Sequence, residues 1–286
     1  MENIGFLLKK IRVDKNLTQE TIARNVISRS HLSDLEHGKY FPSYDKLLGL
    51  LQNLDISLME FQTELGNNYS LIDRVYIEKT NQLSTEQKIN ELANYLEDVF
   101  TDDIAKRSIR LKIKRLNMLG LVEFTNKGFV TIDNYQFIFN YLLACKNWHE
   151  FEIRTLANSI FLADFDIAKI LARQFEEKTK KLNFSGYIEK VILFFNNITE
   201  LALRKKEYKS ALEYAKKAQL KAHNSKKLHY LIISNVLVAL ADLKLHPEKS
   251  ECMKEINENI EIFEYLNYST NANSLKKLVT TVLADH

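Results

Sequence analysis

The stretch 28-SRSHLSDLEHGK-39 holds a serine, a run of polar and basic side chains, two leucines three residues apart and a closing glycine. Ser28 is placed to accept from an orphan amide of a first helical turn. Leu32 and Leu35 fall on one helix face, and Gly38 supplies the backbone freedom that ends helices. A short helix is expected, with an inward edge of leucine and Arg29, Ser30, His31, Ser33 and Asp34 on its polar side.

Short helices surround it on both sides. Residues 3–15 repeat Ile4, Leu7, Leu8 and Ile11, the spacing of one buried helix face. Asn16-Leu17 breaks that pattern, and Thr18 can cap a second helix carrying Gln19, Glu20, Ile22 and Ala23. Val26-Ile27 forms an apolar turn before Ser28. Pro42-Ser43 opens a fourth helix with Leu47, Leu48, Leu50 and Leu51, and a fifth runs from Leu58 to Leu65. Residues 1–66 are thus expected to form a five-helix domain.

Composition excludes several classes. Two prolines and seven glycines in 286 residues give too little turn punctuation for sheets, so an all-α fold is expected. A net charge of +3 is too small to diagnose nucleic-acid binding, which must rest on local residues. Cys145 and Cys252 are isolated and lack metal-ligand spacing, as packing thiols of a reducing compartment would be. The start, MENIGFLLKK, has too short an apolar core for a secretory signal, and no apolar run reads as a membrane span. A cytoplasmic protein that is not an enzyme is expected. Seven histidines are scattered singly, and there is no P-loop, dinucleotide fingerprint or nucleophile elbow. No cofactor or metal is called for.

Residues 66–72 (GNNYSLI) read as a polar linker, with 67–84 as linker and first connecting segment. From 85 to 286 the pattern is helical, in antiparallel pairs repeating roughly every 35–40 residues, as in helical solenoids. Tyr208, Ala211, Ala215 and Ala218 follow the second-helix spacing of a tetratricopeptide repeat. Residues 106–130 admit two readings. One is a winged helix with a hairpin at Asn126-Lys127-Gly128; the other, which is favoured because Leu111, Leu116 and Leu119 fit solenoid packing equally well, is a solvated basic helix running to Gly120 with a connecting loop.

Residues 1–66 resemble the Xre/Cro-type helix-turn-helix domain, through Leu17-Thr18-Gln19-Glu20, Ile22-Ala23, Ser28-Arg29-Ser30, Ser33-x-x-Glu36-x-Gly38 and Pro42-Ser43. Segment 140–160 adds Tyr141-Leu142, Trp148 and Phe151-Glu152. Together these make the chain similar to the Rgg-type regulators, within the group of peptide-pheromone receptors of Gram-positive bacteria. The resemblance implies a double-stranded DNA operator read by the third helix in the major groove. Gln19 and Ser28 would meet phosphates, while Arg29, Ser30, His31, Ser33 and Asp34 would lie near base edges. Lys39 and His37 would be backbone contacts or solvated groups, and Glu36 would face Arg12.

It further implies a short apolar signalling peptide in the concave face of the repeats. Arg154, Asn158, Phe161, Asn196, Asn197, Ile232 and Asn235 are the candidates for holding it, with Phe194, Phe195 and Leu237 as further apolar wall. Trp148 reads as a packing anchor. A homodimer is implied, with Ile260, Ile262, Phe263, Leu266, Leu275, Leu278 and Val279 offering apolar surface. Some relatives carry a cross-linking cysteine after the recognition helix; Tyr44 and Asp45 stand there, so no such disulfide is expected. The alternative to peptide control is a protein partner held by the repeats.

Overall fold

The computed structural model describes residues 4–65, 71–180 and 185–284, which contain helices and turns and no strand. The chain divides into two compact units, Met1–Lys79 and Thr80–His286. The first holds α1 (Ile4–Asp14), α2 (Gln19–Ala23), α3 (Arg29–Glu36), α4 (Tyr44–Asn53), α5 (Leu58–Glu64) and the start of α6 (Leu71–Thr85).

Local chemistry explains these boundaries. Thr18 accepts from the Thr21 amide at 3.1 Å and Ser28 from the His31 amide at 3.2 Å. Ser57 and Glu60 form a reciprocal capping box on α5. The α3 terminus closes with Lys39 N donating to Asp34 O and Gly38 N to Leu35 O, the Schellman pattern, with Gly38 at φ 73°. Leu8, Ile22, Leu32, Leu35 and Leu50 are wholly buried in one cluster. Gly5 lets α1 approach α3 closely, since a Cβ there would lie 1.7 Å from Leu35 O.

The expected linker differs. Residues 66–70 lie outside the described ones, and Leu71–Thr85 is helix rather than a connecting segment. Thr80 and Leu83 are buried on α6.

The second unit continues with α7 (Ile89–Asp98), α8 (Asp102–Ala105), α9 (Ile109–Lys127), α10 (Gln136–Ala144), α11 (Glu150–Ser159), α12 (Phe165–Thr179), α13 (Ile188–Arg204), α14 (Tyr208–Asn224), α15 (Leu228–Leu245), α16 (Ser250–Tyr265) and α17 (Ser269–Ala284). Successive helices α13 to α16 pack against one another, and α14 buries Ala211, Ala215, Ala218 and Ala222 so that its neighbours approach closely. Alternate helices α9, α11, α13, α15 and α17 also touch in sequence, whereas α12, α14 and α16 lie further apart, α12 and α14 being joined by the Lys217–Glu176 ion pair. Helices crowded on one layer and spread on the other curve a solenoid, so the α9–α11–α13–α15 layer is the concave one.

Neither reading of 106–130 describes its end. Helix α9, capped by Ser108, runs through Gly120 and Asn126 to Lys127, and Gly128 at φ 78° closes it. There is no hairpin at 126–128. Gly120 is a packing glycine: a Cβ there would meet Leu162 Cδ2 at 2.3 Å. Helix α15 is also more apolar than the sequence reading allowed, with mean hydropathy 1.5 over 18 residues, enough by length and composition to span a membrane. Its Ile232, Val236, Leu237 and Leu240 lie in the core of the repeats.

Candidate DNA-reading helix and ligand face

Helix α3 is anchored from behind. Glu36 is wholly buried and receives Arg12 Nε at 2.6 Å, Arg12 Nη2 at 2.9 Å and Gln19 Nε2 at 2.9 Å. Arg12 Nη1 also donates to Leu17 O at 2.9 Å, tying in the turn before α2. Burial opposes ionisation of Glu36, but the bonds from Arg12 and Gln19 outweigh it and hold the carboxyl below its ordinary range.

The opposite side of α3 is open. Ser28, Arg29, Ser30 and His31 are exposed, Ser33 and Asp34 half-buried. Arg29 has no hydrogen bond or ion pair among the described residues, so its guanidinium is available to a planar acceptor pair. Tyr40 donates its hydroxyl to His31 O at 3.0 Å and meets the His31 ring edge-on, steadying that turn. Lys39 pairs with Asp34 at 2.6 Å and keeps its carboxyl below the ordinary range. Gln19 and Ser28, expected at phosphates, each have internal work: Gln19 donates to Glu36, and Ser28 caps α3 and bonds Ser30 Oγ at 3.0 Å.

The second unit has its own anchor. Glu152 accepts from Tyr141 Oη at 2.7 Å and from the His149 amide at 2.9 Å, and Trp148 donates to Leu142 O at 3.1 Å. These bonds fasten the 145–149 turn between α10 and α11, and give a structural role to Tyr141, Trp148 and Glu152.

On the concave layer, half-exposed or exposed side chains recur at helical spacing. They are Arg154, Asn158 and Phe161 after Glu150, then Lys190, Leu193, Asn197, Glu200 and Arg204 on α13. Arg154 is exposed, with Glu150 3.9 Å away, and Asn158 is exposed without a hydrogen bond among the described residues. Phe161 packs edge-to-face on Phe124, whose ring also carries the Arg204 guanidinium at 4.3 Å. Burial pushes the Glu200 carboxyl upward, with Arg204 opposing. These last groups, Phe124, Glu200 and Arg204, escaped sequence reasoning because only the α9–α13 packing brings them together.

The other candidates are placed differently. Asn196 is buried and accepts from Ser234 Oγ at 2.9 Å, leaving its Nδ2 without a partner. Asn197 donates to Ala157 O at 2.8 Å. Asn235 accepts from Gln219 and donates to Asn259, bridging three helices. Ile232 is only 2% exposed, and Phe194, Phe195 and Leu237 are buried with it, so none of the four lines a wetted surface. The interface candidates also need correction. Ile260, Phe263, Leu275, Leu278 and Val279 pack within the chain, while Ile262 and Leu266 stay exposed beside Tyr265 and Tyr268.

Residues 5–64 match a helix-turn-helix domain model, and residues 109–277 match the C-terminal domain of the HTH-type transcriptional regulator Rgg. Solved structures agree in fold. A transcriptional regulator from Listeria monocytogenes EGD-e superposes with TM-score 0.80 at 17% identity, over 99% of this chain and 97% of that one. The Streptococcus dysgalactiae SHP pheromone receptor Rgg2 gives 0.75 at 16% identity, over 97% and 99%. Bacillus thuringiensis PlcR, solved with the peptide PapR7 and DNA, gives 0.67 at 17% identity, over 95% and 99%. With the Rgg model covering more than half of it, this chain belongs to the Rgg family of helix-turn-helix transcriptional regulators.

Proposed function

We propose that this chain reads a two-fold operator through paired α3 helices, and that a short apolar peptide in the concave face of the repeats sets its activity. The open Arg29–His31 edge, braced by the Arg12–Glu36 pair, carries the first half. Arg29 pairs with guanine, and Ser30 and His31 supply donors and acceptors to neighbouring bases. Ser28 reaches phosphate while capping the helix; Gln19, Ser33, Asp34 and Lys39 lie at the margins.

The second half rests on Asn158, whose amide stands free on the concave layer beside Arg154, Asn197 and Phe161. An extended peptide leaves its backbone N–H and C=O groups in need of partners, and an asparagine supplies both kinds. Phe161 and Phe124 then face its apolar side chains. Rgg2 as a pheromone receptor and PlcR with PapR7 support this reading by likeness of fold. One helix-turn-helix reads only a half-site, so the working form is a homodimer acting inside the cell.

The test uses soluble synthetic octapeptide libraries incubated with the full chain, with bound peptides identified by mass spectrometry. Enriched apolar peptides that raise the unfolding temperature and change operator affinity support the reading. Failure to enrich any peptide sinks peptide control, and a stoichiometric protein partner becomes the controlling ligand.

A further inference from the structure

Helix α2 stands between α3 and α4 and packs on both. On its α4 flank, the turn after α2 and the second half of α4 enclose a cleft of about 530 Å³. Val26 and Gly49 lie deepest in it, and the two segments close tightly there, since a Cβ on Gly49 would lie 2.8 Å from Val26 Cγ2. Asn53 fixes one wall, donating through Nδ2 to Ile22 O at 2.8 Å and to Arg24 O at 2.9 Å. Asn25 holds the bend at φ 62°, a left-handed conformation that asparagine tolerates better than most residues.

Three side chains at the mouth of this cleft have unused hydrogen-bonding groups. The Arg24 guanidinium and the Asn25 and Gln52 carboxamides are exposed and make no hydrogen bond or ion pair among the described residues. The chain brings no acid of its own to them. No Asp or Glu occurs between Glu20 and Asp34, nor between Asp45 and Asp55. A planar guanidinium fork beside two amide donors matches a carboxylate, which accepts through both oxygens at once. The reading edge Arg29–His31 belongs to α3, on the other flank of α2, so a chain seated on its operator keeps the cleft open.

We propose that this cleft takes an Asp or Glu side chain of a second protein bound to the adjoining DNA, and that the operator-bound chain regulates transcription through that contact. The proposal rests on the operator reading above and adds a protein contact to it. A regulator that only blocked the promoter would have no use for the cleft. One that recruits a neighbour needs a small, preorganised site beside its DNA-reading edge, and both proteins being held on one duplex makes a weak contact sufficient.

The test places a reporter gene behind the operator selected by the native chain, in the native cell. It compares the native chain with Arg24→Ala, Arg24→Lys, Arg24→Glu and Gln52→Ala. Operator affinity and unfolding temperature are measured on each purified protein. Arg24→Ala should bind the operator within two-fold of the native chain, yet reduce the regulated change in expression at least five-fold. Gln52→Ala should reduce it by less. Arg24→Lys should restore part of it, because the charge remains but the fork is gone. Arg24→Glu should be worse than Arg24→Ala, because it repels a carboxylate. Lys46→Ala, an exposed cation on α4 outside the cleft, should regulate as the native chain does. Undiminished regulation by Arg24→Ala would overturn the contact. Operator affinity that falls in step with regulation would overturn it too, making Arg24 a DNA contact. Regulation by Arg24→Glu equal to that by Arg24→Ala would overturn the carboxylate. If the native chain selects no operator at all, the operator reading falls first and the cleft proposal falls with it.

Discussion

Arg12 holds the carboxylate of Glu36 by two bonds, 2.6 and 2.9 Å long, from α1 to the far end of the recognition helix. Glu36 is wholly buried and the Arg12 side chain is 12% exposed, so neither group can fall back on water if its partner goes. Arg12→Met should cost about 3 kcal/mol of stability in the first unit, measured by urea unfolding. Arg12→Met/Glu36→Leu should recover a large part of that loss. Because the folded Glu36 carboxyl titrates below its ordinary value, its contribution is fully present above the unfolded carboxylate pKa. That contribution should fade as pH falls through the lower, folded value. Native chain and double variant should therefore converge in stability in acid.

Gly5 should not tolerate a methyl group. Ala normally gains about 1 kcal/mol over Gly inside a helix. Here the new carbon would meet a backbone carbonyl oxygen rather than a flexible side chain, so α1 and α3 must separate. Gly5→Ala should lower stability by about 2 kcal/mol, read by thermal unfolding, with operator affinity falling alongside it.

The Asp34–Lys39 pair tempers the charge beside DNA. Asp34→Asn releases Lys39 for phosphate and removes an acid that repels it. Non-specific affinity should rise, and the slope of log affinity against log salt should steepen by about one. Anisotropy titrations on unrelated duplexes at several salt concentrations measure both.

Asparagines on the repeats should separate into two groups. Asn158→Ala should leave stability within about 0.5 kcal/mol and weaken any enriched peptide. Asn196→Ala removes a buried acceptor of Ser234 and should destabilise by about 1–2 kcal/mol, with no selective effect on ligand. Calorimetry with such a peptide, beside unfolding of each variant, distinguishes them.

The first unit was legible because its signals are local. Thr18, Ser28 and Gly38 act within one turn of where they stand, and leucine spacing marks the inward faces. The repeats were legible as helices but not as surfaces. Gly120 looked like a stop, yet it permits contact with Leu162, and only the tertiary partner tells the two apart. The same holds for asparagine. Asn158 and Asn196 differ little in sequence context, but packing of α13 against α15 buries the Asn196 amide, whereas the Asn158 amide on α11 stays in the open.

The central claim is that the exposed edge of α3 reads bases. It is tested most directly by selecting genomic fragments on the purified native chain beside an Arg29→Ala/His31→Ala variant of equal stability, at one fixed salt concentration. The native chain should enrich a two-fold symmetric site, and the variant should lose it, with affinity for that site reduced at least ten-fold. Enrichment of the same fragments by both proteins, or by neither, would contradict it.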